Sequence, residues 1–344
     1  GARRAGRRVA GLRRGRRVQE DPTVMYDLQC DLPQDYIGGY WPLVARKDRY
    51  EINERLNYKG DVLSPLNDDE VRAVAQKIKD SGAEAVVVCY LFSFINPDHE
   101  KRTAEILREV MPNVAISQSH EILPIIREYE RLSTTTLNAY IQPIMQKYIE
   151  RLEDKLKAAG YDKPFYIMHS NGGIMSSLLA GERPVYTIDS GPAGGVSASR
   201  DLGVALGYPN VIAFDMGGTT TKMCVVVDAE PAITTEFWAG GKYFSGAPIM
   251  NMVEIGAGGG SLCSVDSIGS VHVGPQSAGA DPGPAMYQLG GTQPTITDAL
   301  MVLGYLNPDY FLGGAMQVSR DASIKAYEEH IGSKLNINAA EAAN

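Results

Sequence analysis

Val211-Ile212-Ala213-Phe214-Asp215-Met216-Gly217-Gly218-Thr219-Thr220-Thr221-Lys222, followed by the apolar run Met223-Cys224-Val225-Val226-Val227, is the stretch on which the reading of this chain turns. An apolar run closed by an aspartate, a glycine- and hydroxyl-rich turn, and a second apolar run predict a strand, a tight loop and a strand. With no Cβ at positions 217 and 218, backbone N–H groups can come close to an anion, and the hydroxyls of Thr219 and Thr220 can donate to the same oxygens. Asp215, at the mouth of the first strand, is placed to hold a hydrated Mg²⁺ or to orient a water beside phosphates. The same residues also read as a plain Gly-Gly hairpin between two buried strands, and spacing alone does not separate the two readings.

Glycine loops recur on both sides. Upstream, Phe165-Tyr166-Ile167-Met168 runs into His169-Ser170-Asn171-Gly172-Gly173, and Tyr186-Thr187-Ile188 runs into Asp189-Ser190-Gly191-Pro192-Ala193-Gly194-Gly195, which opens an apolar helix through Val204 and Leu206. Each loop is expected where a strand meets a helix N-terminus, the usual ligand position in open α/β sheets, and the three loops are expected along one sheet edge. Asn171, Gly172 and Ser190 are therefore candidates for the walls of a cleft. Downstream, Met252-Val253-Glu254-Ile255 leads into Gly256-Ala257-Gly258-Gly259-Gly260-Ser261. That run lacks the third spaced glycine of the dinucleotide fingerprint, and no G-x-x-x-x-G-K-[ST] occurs, so neither Rossmann nor Walker site is supported. Gly274 to Ala285, with Asp281 inside it, is a turn-dense loop, either functional or a packed crossover. Thr297 or Asp298 is expected to cap a final apolar helix.

The first half of the chain is expected to alternate helix and strand. Asn67 and Glu70 suggest a capping box before the apolar face Val71, Val74, Ala75 and Ile78, with a stop at Ser81-Gly82. Ala85 to Phe92 reads as a strand buried on both faces, Asn96-Pro97 starts a helix to about Met111, and Val114 to Ile116 is the next strand. Residues 121–160 carry a long helical pattern, broken near Pro124 and Pro143. Within it, the polar segment Arg127 to Thr136 is assigned by default to surface ion pairs. The expected division is a basic, disordered or aberrant start (1–20), a linker or edge region with a half-exposed strand over Arg49 to Leu56 (21–66), an α/β segment with a long helix pair (67–164), a glycine-loop lobe (165–335) and a tail (336–344).

A chain of 344 residues with 44% apolar content can bury one large core or two medium ones. No stretch of membrane-spanning length is apolar and no signal peptide is visible, so a soluble, cytoplasmic protein without membrane association is expected. Four scattered cysteines read as reduced core or surface residues, and five dispersed histidines give no zinc spacing. Net charge is −8, but residues 1–17 hold eight arginines and no acid, leaving the remainder at −16. A solvated basic tail is the default reading of such a block, and nucleic-acid binding is not expected.

Taken together, His169-Ser170-Asn171-Gly172-Gly173, Ser190-Gly191-Pro192-Ala193-Gly194-Gly195, Phe214 to Lys222, Ile255 to Ser261, Ser277 to Ala285 and Thr297-Asp298-Ala299 resemble the hydantoinase A and 5-oxoprolinase family. That family belongs to the actin, hexokinase and Hsp70-like ATPase group. The resemblance implies an α/β, ribonuclease H-like layered mixed sheet with helices on both faces, here incomplete. It implies ATP and Mg²⁺ as cofactors, a small cyclic amide of hydantoin or 5-oxoproline type as substrate, and a second hydrolase subunit or domain of hydantoinase B type as partner. Carried onto this sequence, Asp215 would be the Mg²⁺ or water-orienting carboxylate, and Gly217, Gly218, Thr219 and Thr220 the phosphate cradle. Gly258, Gly259, Gly260 and Ser261 would form a second loop near nucleotide or substrate, with Asp281 in the cleft and Asp298 as a second catalytic candidate; packing and capping are the competing roles for these two aspartates.

Two departures bear on these expectations. The family's N-terminal Asp-x-Gly-Gly-Thr loop is absent from this sequence, so a fragment lacking the first lobe is expected. Lys222 replaces an aspartate found in many hydantoinase-like members and resembles the carboxylase-like relatives. An ATP-dependent ketone carboxylase subunit and a non-catalytic actin-like nucleotide-binding module are the alternative functions.

Overall fold

The computed structural model describes residues 9–14, 43–240 and 243–344. The chain divides into two compact units, residues 1–193 with 233–250, and residues 194–232 with 251–344. The lobe expected over 165–335 is thus shared between them.

The first unit is built on a four-stranded parallel sheet. Its strands are β1 (Val9–Arg14), β2 (Arg49–Ile52), β5 (Ala85–Val88) and β6 (Ala115–Gln118), in the order β2-β1-β5-β6. The two-residue β3 (Arg55–Leu56) pairs with β4 (Val62–Ser64) outside that sheet. β1 corrects the expectation of a disordered start: Val9 to Leu12 pair with β5 and Gly11 to Arg14 with β2. Backbone pairing on both sides stabilises a strand whose four-residue apolar centre is too short to stand out among arginines. Residues 1–8, 15–42 and 241–242, Cys30 included, lie outside the described part.

Alternation along β5 sends side chains into two cores. Val86 and Val88 pack with Val71, Ile78, Ile106 and Leu107 from α1 (Asp68–Ser81) and α2 (Asp98–Val110). Ala85, Val87 and Cys89 pack on the other face with Ala139, Leu132 and Tyr140. Each fully buried valine contributes roughly 1.5–3 kcal/mol. α1 starts as expected at Asn67, whose side chain accepts from the N–H groups of Asp69 and Glu70, and stops at Gly82 in the left-handed region (φ 71°). The box is not reciprocal, however. The Glu70 carboxylate accepts instead from the backbone and side chain of Asn53, tying α1 to the end of β2.

The short α3 (Ser119–Ile122) precedes α4 (Glu128–Ala158), which runs 31 residues straight through Pro143. The expected break at that proline is absent: one hydrogen bond is forgone, and packing against the sheet outweighs it. The polar segment 127–136 is also not a surface. Arg131, Thr134 and Thr135 are buried, and each of these threonines returns its hydroxyl to the carbonyl four residues back. Arg127, at the exposed start of the segment, makes an ion pair of the expected kind with Glu130.

Around Arg131 lies a closed polar cluster. Its guanidinium donates to the Ser119 hydroxyl, the Ile125 carbonyl and the Tyr90 carbonyl (3.1, 2.8 and 2.7 Å) and stacks over Phe94. The Ser119 hydroxyl in turn donates to Glu100 (2.6 Å), which is fully buried and also accepts from the Tyr90 N–H, the His120 N–H and His120 Nδ1. Loop, strand, and both helix layers meet at these charges.

β7 (Tyr166–Met168) and β8 (Ile174–Ser176) form a separate hairpin followed by α5 (Ser177–Glu182). Residues 184–187 are a 3-10 turn where a strand was expected, and α6 (Ser190–Ala205) begins soon after.

In the second unit, β9 (Val211–Met216) pairs antiparallel along its whole length with residues 221–226 of β10 (Thr221–Val227), and β10 also pairs with the two-residue β11 (Glu230–Pro231). The chain then contributes two small ladders to the first unit, β12 (Ile233–Thr234) with β15 (Ile249–Met250) and β13 (Phe237–Ala239) with β14 (Tyr243–Ser245). It returns as β16 (Val253–Ile255), on the far side of β10. β17 (Ser261–Val265) and β18 (Val271–Ser277) form a second ladder. Its Cys263 and Val265 share a core with Ala299 and Val302 of α7 (Ile296–Val302) and Tyr327 of α8 (Arg320–Tyr327). The short α9 (Ser333–Leu335) and α10 (Ala339–Ala343) close the unit. The fold is therefore mixed α/β, with a parallel sheet in one unit and antiparallel sheets in the other, and the three expected glycine loops do not share one sheet edge.

Among the described residues no helix is long and apolar enough to cross a membrane. Cys89, Cys224 and Cys263 are free and buried, and burial pushes the Cys89 thiol up to about 12, as expected of inert core cysteines.

Candidate phosphate-binding site

The opening stretch is a hairpin, and its loop is available to a ligand. Gly217 N–H donates to the Thr220 carbonyl, closing the turn. The N–H groups of Gly218, Thr219 and Thr220, and the hydroxyls of the two threonines, make no hydrogen bond among the described residues. Residues 217–219 are exposed, and a Cβ placed on Gly218 would meet nothing within 4 Å. Three open backbone donors in a row beside two free hydroxyls are a donor set for phosphate oxygens. The hairpin and anion-loop readings are compatible.

The loop is held from behind by backbone contact. Gly259 and Gly260 donate to the carbonyls of Gly217 and Gly218 at 2.9 and 2.6 Å. A Cβ on Gly258 would sit 2.6 to 2.8 Å from the Thr219 backbone and the Gly217 carbonyl, so only glycine permits this approach. Gly258 N–H is taken by the Ser261 hydroxyl, and Ser261 N–H by the Gly258 carbonyl. All four backbone N–H groups of 258–261 are therefore occupied, and the segment's backbone buttresses the hairpin loop instead of offering a second row of open donors. Thr297 locks the buttress, its N–H and hydroxyl both donating to the Gly259 carbonyl at 2.8 Å, and Ala278 N–H donates to Gly260. The sequence showed Thr297 as a possible helix cap and as part of a family motif, not as the lock on this loop.

Asp215 is exposed and accepts no hydrogen bond among the described residues. In register it faces Lys222, which faces Glu254 on the next strand, so three charged positions form one row beneath the loop. Lys222 is largely buried, with Nζ 3.7 Å from the Glu254 carboxylate. Among the described residues no three His, Cys, Asp or Glu side chains are grouped to hold a metal. One free carboxylate beside a phosphate cradle suits Mg²⁺, which is characteristically bound by one or two carboxylates together with phosphate oxygens and waters.

The other candidates separate. Asp281 is exposed and without a hydrogen bond among the described residues, on the loop whose Ala278 reaches Gly260. Asp298 is fully buried and accepts from the N–H groups of Ala285, Met286 and Thr295 and from the hydroxyls of Thr295 and Ser323. With Thr295 it forms the capping box of α7, so the cap is Thr295, neither Thr297 nor Asp298. This geometry favours the capping role of Asp298 over a catalytic one. Replacing Asp298 with alanine leaves five donors unpaired and is expected to lower unfolding stability by about 2–3 kcal/mol in urea titrations.

Asn171 and Gly172 sit in the β7–β8 hairpin loop, not at a helix start, and the loop is internally satisfied. His169 N–H donates to Gly173, Gly172 N–H to His169, Gly173 N–H to the Asn171 side chain, and Asn171 N–H to His169 Nδ1. Burial holds the His169 imidazole below its ordinary pKa, and Nδ1, which accepts from the Asn171 N–H, leaves Nε2 to carry the ring proton. Ser190 is the first residue of α6 and belongs, like Asn171 and Gly172, to the first unit.

The geometry gives a glycine-buttressed hairpin with open donors beside an exposed carboxylate, and comparison with known proteins gives the family. The hydantoinase/oxoprolinase model matches residues 131–344, and the model of the hydantoinase/oxoprolinase N-terminal region matches residues 6–111. The chain belongs to the hydantoinase/oxoprolinase family. It is 40% identical over 308 residues to the acetophenone carboxylase gamma subunit of Aromatoleum aromaticum, covering 88% of this chain and 42% of that protein. To the caprolactamase subunit alpha of Pseudomonas jessenii it is 37% identical over 303 residues, covering 88% and 43%. The nucleotide-free structure of acetone carboxylase superposes with a TM-score of 0.78 at 29% identity, over 98% of this chain and 49% of that one. The chain spans about half the length of the curated relatives it matches. The match at 6–111 also makes family sequence of a region that reads, from composition, as tail and linker.

Proposed function

We propose that the chain is the phosphate-handling part of an ATP-dependent enzyme that activates a small, unreactive carbonyl compound, a cyclic amide of hydantoin, 5-oxoproline or lactam type. The observation that carries this reading is the row of open donors at Gly218, Thr219 and Thr220 above Asp215. In it, the three N–H groups and two hydroxyls would hold phosphate oxygens, and Asp215 would hold Mg²⁺, which supplies charge neutralisation to the phosphates. Phosphoryl transfer from ATP to the amide oxygen would turn a poor electrophile into a good one; the protein's share is positioning and charge stabilisation. A partner subunit of hydantoinase B type would complete the ring-opening step, in keeping with relatives that are themselves named as subunits.

A specific residue favours a second reading. Lys222 sits in the charged row between Asp215 and Glu254, where a cation could meet an anionic co-substrate, and the acetophenone carboxylase gamma subunit is among the relatives. Under that reading the activated oxygen belongs to a ketone, and bicarbonate supplies the carbon. The deciding experiment extends the chain to the length of its relatives, pairs it with a second subunit and follows ADP release. Turnover with 5-oxoproline, hydantoin or caprolactam supports the first reading; turnover only with a ketone and bicarbonate supports the second; none with either overturns both.

The buttress gives a separate test. Gly258→Ala pushes a methyl into the Thr219 backbone, so the cradle must shift. Losing one hydrogen bond to a charged phosphate costs about 1.5–3 kcal/mol, and ATP affinity is expected to fall at least tenfold in calorimetric titration with little change in thermal stability.

A further inference from the structure

The carboxyl edge of the first unit's parallel sheet carries a second set of open donors. In the order β2-β1-β5-β6 the chain leaves β1 for β2 on one side and goes on to β5 on the other, so the carboxyl ends of β2 and β5 flank the point where the order reverses. Open parallel sheets take ligands in that crevice. Arg55 lies three residues past the end of β2, and the turn 91–95 begins three residues past the end of β5. Asn96, just after the turn, ties it to the β3–β4 hairpin, its side-chain amide donating to the Gly60 carbonyl at 3.0 Å.

The turn bends at Phe92, which adopts the left-handed conformation (φ 60°), and is closed by the Ile95 and Asn96 N–H groups on the Phe92 carbonyl. The N–H groups of Leu91, Phe92, Ser93 and Phe94 make no hydrogen bond among the described residues. Successive N–H groups around a left-handed residue form an anion-binding concavity. The Arg55 guanidinium lies over the Phe92 ring, 5.8 Å from its centroid. Its Nη1 is buried and has no hydrogen-bond partner among the described residues. Neighbouring charges are already engaged: Glu54 accepts from or donates to His99 Nδ1 at 2.7 Å, and Arg131, over Phe94, donates to Ser119, Tyr90 and Ile125. Buried polar groups in a native fold are paired, and one anion would satisfy the guanidinium and the turn together. We propose that Arg55 and the turn Leu91 to Phe94 bind a small oxyanion, a carboxylate or a phosphate, at a site made of first-unit residues alone. The guanidinium fork matches two oxygens of either group, and the turn supplies N–H donors at its bend.

The test is amide hydrogen exchange of the 344-residue chain in millimolar sodium phosphate or sodium acetate, against sodium chloride of equal ionic strength. Exchange is read at a peptide spanning residues 90–95 and, separately, at one spanning 217–221, so that binding here is not confused with binding at the cradle. At least one oxyanion is expected to slow Leu91 to Phe94 saturably and by at least about tenfold, and chloride is not. Protection by phosphate alone assigns a phosphoryl ligand, by acetate alone a carboxylate, and by both the shared oxyanion chemistry. Arg55→Met is expected to abolish the protection at 90–95 and to leave any at 217–221 in place. If that variant does not melt cooperatively, Arg55→Lys, which keeps the charge without the fork, should weaken the anion at least about tenfold. The proposal is overturned if neither oxyanion slows these amides, if chloride slows them equally, or if undiminished protection survives in a folded Arg55 variant.

Discussion

Asp215→Ala is expected to reduce ATP turnover by about 10²-fold or more while leaving the melting temperature unchanged, measured on the enzyme extended to the length of its relatives. The two parts of that result have different origins. Asp215 is exposed and accepts no hydrogen bond among the described residues, so its removal costs the fold little. It is also the one open carboxylate in the charged row under the cradle, since Glu254 is engaged with Lys222, so no neighbour replaces it. Asp215→Asn keeps the shape and loses the charge, and should be nearly as impaired. Unchanged turnover in both variants would assign the loop to a non-catalytic nucleotide-binding or assembly role.

The second large effect is on stability. Arg131→Met leaves the Glu100 carboxylate buried without the cation that reaches it through Ser119, and frees the carbonyls of Tyr90 and Ile125. Breaking a buried ion network from one side costs about 3–5 kcal/mol, a fall of roughly 10 °C for a unit of this size. Because the cluster joins α2, α3 and α4 to the segment that follows β5, the loss should appear in the melting of the first unit. The double variant Arg131→Met with Glu100→Gln removes both charges and should recover part of it. A single variant within about 0.5 kcal/mol of the parent would contradict this account.

These two sites also show what sequence patterns can and cannot carry. α1 was legible from end to end, because a cap at Asn67, an apolar stripe from Val71 to Ile78 and a stop at Gly82 are local facts. So was β5, whose unbroken apolar run required cover on both faces. The burial of 127–136 was not legible. Polarity suggests solvent, and Arg131 is inside only because Tyr90, Ser119 and Ile125, distant in sequence, satisfy it. β1 was hidden for the same reason, its stability coming from partners on both sides.

At the candidate site, glycine pattern and flanking apolar runs pointed to both glycine loops, but not to which keeps open donors and which packs behind it. That division depends on which N–H groups remain open once Gly259 and Gly260 have bonded to Gly217 and Gly218, a property of the folded pair. Asp298 looked like a second carboxylate for chemistry because five donors converge on it only after folding.

The most direct measurement is amide hydrogen exchange of the 344-residue chain with and without millimolar Mg·ATP, read at the peptide spanning Gly217 to Thr221. If Gly218, Thr219 and Thr220 hold the phosphates, their exchange slows by at least about tenfold on binding, and Asp215→Ala removes the Mg²⁺ dependence of that protection. Saturable ATP binding that leaves these three amides exchanging at their free rate, or no saturable binding at all, would contradict the assignment.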